Sequence, residues 1–337
     1  MFKRISFEDK IFIAGSSGMV GSAICRMLKH NGYGSNHLGG KLLTPTKKEL
    51  NLIDKESLRK WFSLNKPDVV IIAAAKVGGI QANSEYPADF ILDNLNIEIN
   101  LIELSWQFGV KRLLFLGSSC IYPKFASQPI SEESLMTAEL EPTNEYYAIA
   151  KITGIKLCEA LRKQYGFDAI SLMPTNLYGP GDNYHPTNSH VFASLIKKFC
   201  DAKINNFDKV VCWGTGKAQR EFLHVDDLAR AVVFTLENWD PSDTAAPMSR
   251  NKNPINILNI GTGKDISILE LAHKISREID YKGKIVWDTS KPDGTPRKLL
   301  NIEKISKLGW KPEIDLNEGI KITIEEFMNN HISYKKI

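Results

Sequence analysis

Ten residues into the chain, an apolar run from Lys10 to Ala14 passes directly into Gly-Ser-Ser-Gly-Met-Val-Gly, with glycines at 15, 18 and 21, and then into a helical pattern over Ser22 to Lys29. Strand, glycine turn and helix in that order open a dinucleotide-binding α/β unit. Gly15 permits the tight turn, Gly18 lets the backbone approach a pyrophosphate, Gly21 lets helix and strand pack closely, and the helix N-terminus attracts phosphate. A glycine-rich hairpin is the competing reading, and the helical pattern that follows argues against it. Further short strands are read at Leu42 to Leu43, Val69 to Ala74, Leu113 to Leu116 and Ala169 to Met173, with helical patterns between them. Such alternation gives a parallel sheet. The run Val-Val-Ile-Ile-Ala-Ala-Ala carries no polar alternation, as expected of a central strand covered on both faces.

The fold class expected is therefore α/β: a Rossmann-type doubly wound parallel sheet with a smaller mixed α/β substrate-binding domain. Residues 1–175 form the dinucleotide domain, to which the chain returns around 222–261, and residues 176–337 are mainly substrate-binding. Ligands in such sheets bind beyond the carboxyl ends of the strands. Four loops meet that condition: those at Gly15 to Gly21, Ala74 to Gly79, Gly117 to Pro123 and Pro174 to Pro180. The choice of nicotinamide is set after the second strand, where an acid holds a ribose 2′-hydroxyl and cations accept a 2′-phosphate. No carboxylate lies between Lys41 and Lys48, and Lys47 and Lys48 open what reads as the next helix, so NADP is favoured over NAD. A solvated surface role for these two lysines stays open.

Tyr147 and Lys151 stand four residues apart in a helical stretch, with Ser118, Ser119 and Cys120 upstream. That spacing puts both side chains on one face, where the ammonium favours the ionised phenol and makes Tyr147 a usable acid. An isolated pair at this spacing is more often a surface pair; here it lies among the strand-end loops. Lys and Arg number 43 against 39 acids, a mild charge of +4 that suits anionic small molecules better than nucleic acid. The longest apolar run, Val69 to Ala75, is far short of a membrane span, and the amino terminus lacks an apolar signal core. Five cysteines without a CxxC pair suggest no disulfide framework or structural metal and fit a reducing cytoplasm.

Taken together, GSSGMVGSAI, AAKVGGIQAN, FLGSSCIYPK, EPTNEYYAIAKITGIKLCE, MPTNLYGPGDNYHP, NSHV, WGTGKAQREFLHVDD and KPDGTPRKL resemble the extended short-chain dehydrogenase/reductases, and within them the GDP-L-fucose synthase family, over nearly the whole chain. The resemblance implies NADPH-dependent 3,5-epimerisation and 4-reduction of GDP-4-keto-6-deoxy-D-mannose to GDP-L-fucose. It assigns catalysis to Ser118, Cys120, Tyr147, Lys151 and His190. Cys120 and His190 would exchange protons at C3 and C5, and Ser118 and Tyr147 would hold the enolate oxygen. Tyr147 would then protonate O4, with Lys151 keeping it acidic and holding the nicotinamide ribose. Cofactor contacts carry over to Gly15, Ser16, Ser17, Gly18, Met19, Val20, Gly21, Leu116, Gly117, Ser118, Ser119, Lys151, Pro174, Thr175, Asn176, Leu177 and His190, beside Lys47 and Lys48. Substrate contacts carry over to Lys198, Trp213, Arg220 and Asp293. A homodimer is implied, through helices including Phe90 to Phe108 and Tyr147 to Tyr165.

Each assignment has a structural competitor. Cys120 reads equally as a small buried residue and His190 as a loop residue; if Asn188 or Ser189 caps the helix beginning near Val191, the helix end would help keep His190 neutral. Lys198 could be helix surface, Trp213 a core aromatic, and Arg220 a partner of Glu221 or Asp226. Tyr146 stands where the family commonly has Pro, Ser17 where some members have Arg, and Pro241 to Pro254 reads as an inserted surface loop. A related GDP-4-keto sugar such as a heptose, another epimerase or dehydratase reaction of the same fold, and a non-catalytic NADP-binding protein are the other readings.

Overall fold

The computed structural model describes residues 3–330 other than Thr187 and Pro292. The first half runs β1 (Lys10–Ala14), α1 (Met19–His30), β2 (Lys41–Leu43), α2 (Lys55–Asn65), β3 (Val69–Ile72), α3 (Ile80–Glu85), α4 (Pro87–Gln107), β4 (Arg112–Leu116), α5 (Glu145–Tyr165) and β5 (Ala169–Pro174). The second half runs β6 (Asn176–Tyr178), α6 (Val191–Ile204), β7 (Lys209–Trp213), β8 (Gln219–His224), α7 (Val225–Asn238), β9 (Ile257–Ile260), β10 (Asp265–Ser267), α8 (Ile268–Glu278), β11 (Lys284–Asp288), β12 (Arg297–Lys298), α9 (Glu303–Leu308) and α10 (Leu316–Asn329).

Six strands form one wholly parallel sheet in the order β2-β1-β3-β4-β5-β9. Its strands are apolar on both faces because both are covered. Ile11 and Ile13 turn to a core completed by Ile24 and Leu28 of α1 and by Leu228, Val232 and Leu236 of α7. Phe12 and Ala14 turn the other way, to Leu58 and Phe62 of α2, Leu101 of α4 and Ile155 of α5. The four-residue steps Ile24–Leu28 and Leu228–Val232–Leu236 keep each helix's apolar side on the sheet, and each such side chain contributes about 1.5–3 kcal/mol when fully buried.

In the remaining half, β8 lies between β10, antiparallel to it, and β12, parallel to it, and also pairs with β6; β7 and β11 form a separate parallel pair. A third core gathers Tyr178, Phe192, Phe199, Phe222, Leu271, Ile275, Ile320 and Phe327 under α6, α8 and α10.

Two local expectations are corrected. Lys47 and Lys48 do not open a helix: Thr46 and Glu49 close a turn on themselves, with the Glu49 carboxylate accepting from the Thr46 N–H at 2.7 Å. Helix α2 starts eight residues later, where Asp54 accepts from the N–H groups of Glu56 and Ser57 and supplies the cap. The strand read as Val69 to Ala74 ends at Ile72, since Ala74 must pass beside the Gly15 turn.

Candidate active site

The dinucleotide turn is shaped by two close approaches. Gly15 has φ +87°, and a Cβ there would stand 2.7 Å from the Ala74 nitrogen; a Cβ on Gly21 would stand 2.1 Å from the Gly15 carbonyl oxygen. Gly18 caps α1 with nothing nearer to its missing Cβ than the Gly15 oxygen at 3.6 Å, and α1 has neither a side-chain cap nor an acid in its first turn. The positive helix end around Met19 and Val20 thus faces an open cradle flanked by half-buried Ser16 and exposed Ser17, and the residues present fit a pyrophosphate there. Lys47 and Lys48 are exposed on the turn after β2. Leu116 to Ser119 leave the end of β4; Pro174 to Leu177 leave β5, and the side chains of Thr175 and Asn176 donate to the Glu221 carbonyl at 3.3 and 2.8 Å.

The catalytic candidates converge at the end of β4. Ser118 opens a short 3-10 turn, its Oγ accepting from the Cys120 N–H at 3.2 Å and hydrogen-bonding Tyr147. Lys151, one turn along α5, is buried; its ammonium donates to the Leu116 carbonyl at 3.0 Å and pairs with Glu98 of α4 at 3.0 Å. The expectation that Lys151 makes Tyr147 more acidic is corrected here. Burial, then Cys120 and Glu98, push the phenol well above its ordinary range, and only the Ser118 hydrogen bond opposes them. Lys151 lies 5.9 Å from the Tyr147 ring and pairs with Glu98.

Cys120 is half-buried among polar groups: Asn144 Nδ2 reaches its sulfur at 3.5 Å and Lys298 Nζ at 3.9 Å. His190 is itself the N-cap residue of α6, and neither Asn188 nor Ser189 supplies a side-chain cap. Its loop rests on the dinucleotide half, the Gly79 N–H donating to the Asn188 carbonyl at 3.2 Å. Part of His190 faces solvent, yet the surrounding protein desolvates it and, together with Lys298, holds its imidazolium below the ordinary histidine range. A neutral imidazole is the form a proton acceptor needs.

The substrate candidates form two neighbouring pairs, Lys198 with Trp213 and Arg220 with Asp293. Trp213 is half exposed rather than core, flanked by the ammonium groups of Lys198 and Lys291 at 5.3 and 5.4 Å from its ring. Lys197 makes the helix-surface pair, with Asp201, whereas Lys198 turns inward to the Val211 carbonyl at 2.9 Å. Arg220 pairs with neither Glu221 nor Asp226: Asp226 is taken by Arg26, and Arg220 reaches the Gln219 and Asp293 carbonyls. The Asp293 carboxylate accepts from the Thr215 N–H and hydroxyl, both at 2.7 Å, across Gly214.

Four residues with a part in the site escaped the sequence reading. Lys298 lies in the quoted KPDGTPRKL run, but only the register of β12 beside β8, Lys298 opposite Arg220, brings it to Cys120. Asn144 follows from the same helix start as Tyr147. Glu221, wholly buried, accepts from the backbone N–H groups of Thr262, Gly263 and Leu300 at 2.6, 2.7 and 2.9 Å, and so ties β8 to the end of the main sheet and to the strand bearing Lys298. Glu98 was detectable as one of the polar residues Asn94, Glu98 and Ser105 on the buried side of α4.

Comparison with known proteins supplies a context for this geometry. The model of the NAD dependent epimerase/dehydratase family matches residues 11–261. GDP-L-fucose synthase 1 of Arabidopsis thaliana is 51% identical over 321 residues, 95% of this chain and 94% of that protein. GDP-L-fucose synthase of Escherichia coli K12 is 49% identical over 332 residues, 97% of this chain and 99% of that protein. Among solved structures, the GDP-mannoheptose C4 reductase from Campylobacter jejuni with NADP bound superposes with a TM-score of 0.84 at 35% identity, covering 96% of this chain and 99% of that one.

Proposed function

The chain belongs to the NAD dependent epimerase/dehydratase family, as one of its GDP-L-fucose synthases, and from that premise we propose how its own residues carry the reaction. It is an NADP-dependent epimerase and reductase that converts GDP-4-keto-6-deoxy-D-mannose to GDP-L-fucose.

The C4 ketone acidifies the protons at C3 and C5, and inversion requires an acceptor on one face of the ring and a donor on the other. Cys120 and His190 take these roles; the Lys298 ammonium lies 3.9 Å from the Cys120 sulfur and its charge also lowers the His190 pKa. Proton removal moves negative charge onto O4, where the Ser118 hydroxyl and the Tyr147 phenol hydrogen-bond it. Reprotonation from the opposite face inverts each carbon in turn. The glycine turn at Gly15 to Gly21, with Lys47 and Lys48, would hold NADPH, whose chemistry there would be hydride donation to C4. Tyr147 passes its phenolic proton to O4 as the alcohol forms, and Lys151 would hold the nicotinamide ribose. Arg220 and Lys198 meet the GDP diphosphate and Trp213 stacks on the base, each cation answering a phosphate charge.

The observation that carries this reading is Lys298, whose ammonium lies 3.9 Å from the Cys120 sulfur and whose charge lowers the His190 pKa, near the Ser118–Tyr147 couple. Incubation with NADPH and GDP-4-keto-6-deoxy-D-mannose in D2O tests it. Loss of NADPH absorbance with deuterium at both C3 and C5 is expected; absorbance loss without deuterium refutes the two-base assignment. A GDP-4-keto heptose is the second reading, supported by the heptose reductase likeness, and kcat/KM across a panel of GDP-4-keto sugars ranks the two. We also propose a homodimer through α4 and α5, whose outer surfaces keep Leu92, Ile99, Tyr146 and Ile149 exposed, and a cytoplasmic location, on the five free cysteines.

A further inference from the structure

The loop after β3 touches the His190 loop and has no part in the steps above. Residues 73–79 leave the sheet beside the Gly15 turn, where the Ala73 N–H donates to the Ala14 carbonyl at 3.0 Å. From there the backbone is gripped by two amide side chains. Asn94 of α4 accepts from the Lys76 N–H at 2.8 Å and donates to the Lys76 carbonyl at 3.0 Å. Asn83 of α3 donates to the Gly78 and Gly79 carbonyls at 2.8 and 3.0 Å. Both amides are buried, and Asn83 Oδ1 accepts no hydrogen bond among the described residues. An unpaired buried acceptor costs stability, so the two carbonyls this amide holds explain it better than cohesion of α3 does. Gly78 lets the held backbone lie on the interior, since a Cβ there would stand 2.9 Å from Ala82 Cβ and 3.1 Å from Phe90 Cζ.

What this clamp presents is Gly79. Its N–H donates to the Asn188 carbonyl at 3.2 Å, and a Cβ on it would stand 3.0 Å from the Ser189 carbonyl oxygen. His190 follows at once, capping α6 with its backbone alone. The two residues before the imidazole therefore rest on one glycine from the dinucleotide half of the chain. We propose that Gly79, held by Asn83, is the positioning residue of His190, fixing where the imidazole stands in the cleft and so whether a deprotonated ring carbon is inverted. This rests on the reading of His190 as one of the two proton-exchanging groups. Each inversion takes a proton from carbon onto one of Cys120 and His190 and returns one from the other. With the imidazole out of reach, either the proton never leaves or the group that took it gives it back. The carbon then keeps its configuration, and the hydride reduces an uninverted ketone.

Gly79→Ala tests this with little other disturbance. Gly79 has φ −68° and ψ 179°, which any residue adopts, and the three atoms nearest the added Cβ all belong to Asn188 or Ser189. The methyl therefore acts on the His190 loop and nowhere else. The readout is the configuration of the reduced sugar at C3 and C5, by NMR, after turnover with NADPH and GDP-4-keto-6-deoxy-D-mannose. In Gly79→Ala the share of product left uninverted at one or both carbons rises by about tenfold, less than the roughly 100-fold that a full 1 Å misplacement costs. KM for the GDP-sugar and for NADPH stays within threefold. Wild-type product configuration, or a uniform fall in turnover without a change in configuration, overturns the inference. In a His190→Ala background Gly79→Ala should add no further loss of inversion, and a further loss overturns the route through His190. If His190→Ala alone still inverts both carbons, the fault lies in the role given to His190. Should Gly79→Ala fail to fold, Asn83→Ala, which releases the two carbonyls, carries the test: a smaller rise in uninverted product supports the inference and no rise overturns it.

Discussion

Replacing Gly214 by Ala separates the substrate end of the cleft from the cofactor end. Gly214 has φ +76°, a conformation that costs an alanine about 1–2 kcal/mol. The added Cβ would also stand 2.2 Å from Asp293 Oδ1, while ordinary contact begins at 3.4 Å, so the carboxylate must retreat by about 1.2 Å. That movement breaks the two 2.7 Å bonds to Thr215, which hold the loop between Trp213 and Arg220. Asp293 is exposed and water replaces much of what is lost, so the bonds add at most about 1 kcal/mol to the strain. The functional loss is larger, because a displacement near 1 Å at a binding group costs on the order of 100-fold. Steady-state kinetics should show KM for the GDP-sugar raised tenfold or more with kcat within threefold, while NADPH affinity by fluorescence titration stays within twofold. Asp293→Ala combined with Gly214→Ala should be less than additive, since the clash exists only while the carboxylate is present. An unchanged KM, or an equal loss of NADPH affinity, refutes the reasoning.

Further outcomes follow from other parts of the site. Cys120→Ser should lower solvent exchange at C3 and C5 by about 100-fold, within the range for a lost acid–base group, and reduce an already epimerised ketone nearly normally; parallel loss of both would remove Cys120 from the proton chemistry. Lys298→Met removes a cation that holds His190 low, so its pKa rises and the acid limb of the exchange rate moves to higher pH; a fixed limb contradicts this electrostatic influence. Asp182, buried with one carboxylate oxygen lacking a hydrogen bond, has its pKa raised from 3.8 to about 7. Its folded-state value exceeds the unfolded one, so its stabilisation is complete below the unfolded value and is lost as pH rises toward 7. Urea unfolding of wild type against Asp182→Asn should therefore diverge with a slope of about 1.4 kcal/mol per pH unit across that window, and parallel pH profiles would show that Asp182 ionises freely.

What the sequence made legible was local. The turn at Gly15 to Gly21 and the four-residue step from Tyr147 to Lys151 are read within one element, and their geometry follows from strand and helix periodicity. Parallel strands were legible for the same reason, through apolar runs without alternation. What stayed hidden depends on elements far apart in the chain. Lys298 meets Cys120 only because β12 aligns with β8, and Arg220 avoids Glu221 because that carboxylate is consumed by three backbone N–H groups. The partner of Lys151 stayed hidden for a related reason: helical spacing puts Lys151 near Tyr147, but the carboxylate that pairs with it comes from another helix.

The Glu221 knot has a mechanical consequence. One carboxylate grips the exit of β9, the far side of β12 and its own strand, so the two sheets cannot slide past one another at this point without baring a charge. The strand carrying Arg220 and the segment carrying Lys298 are thereby held in one fixed register, each tied to the end of the main sheet through the same buried carboxylate.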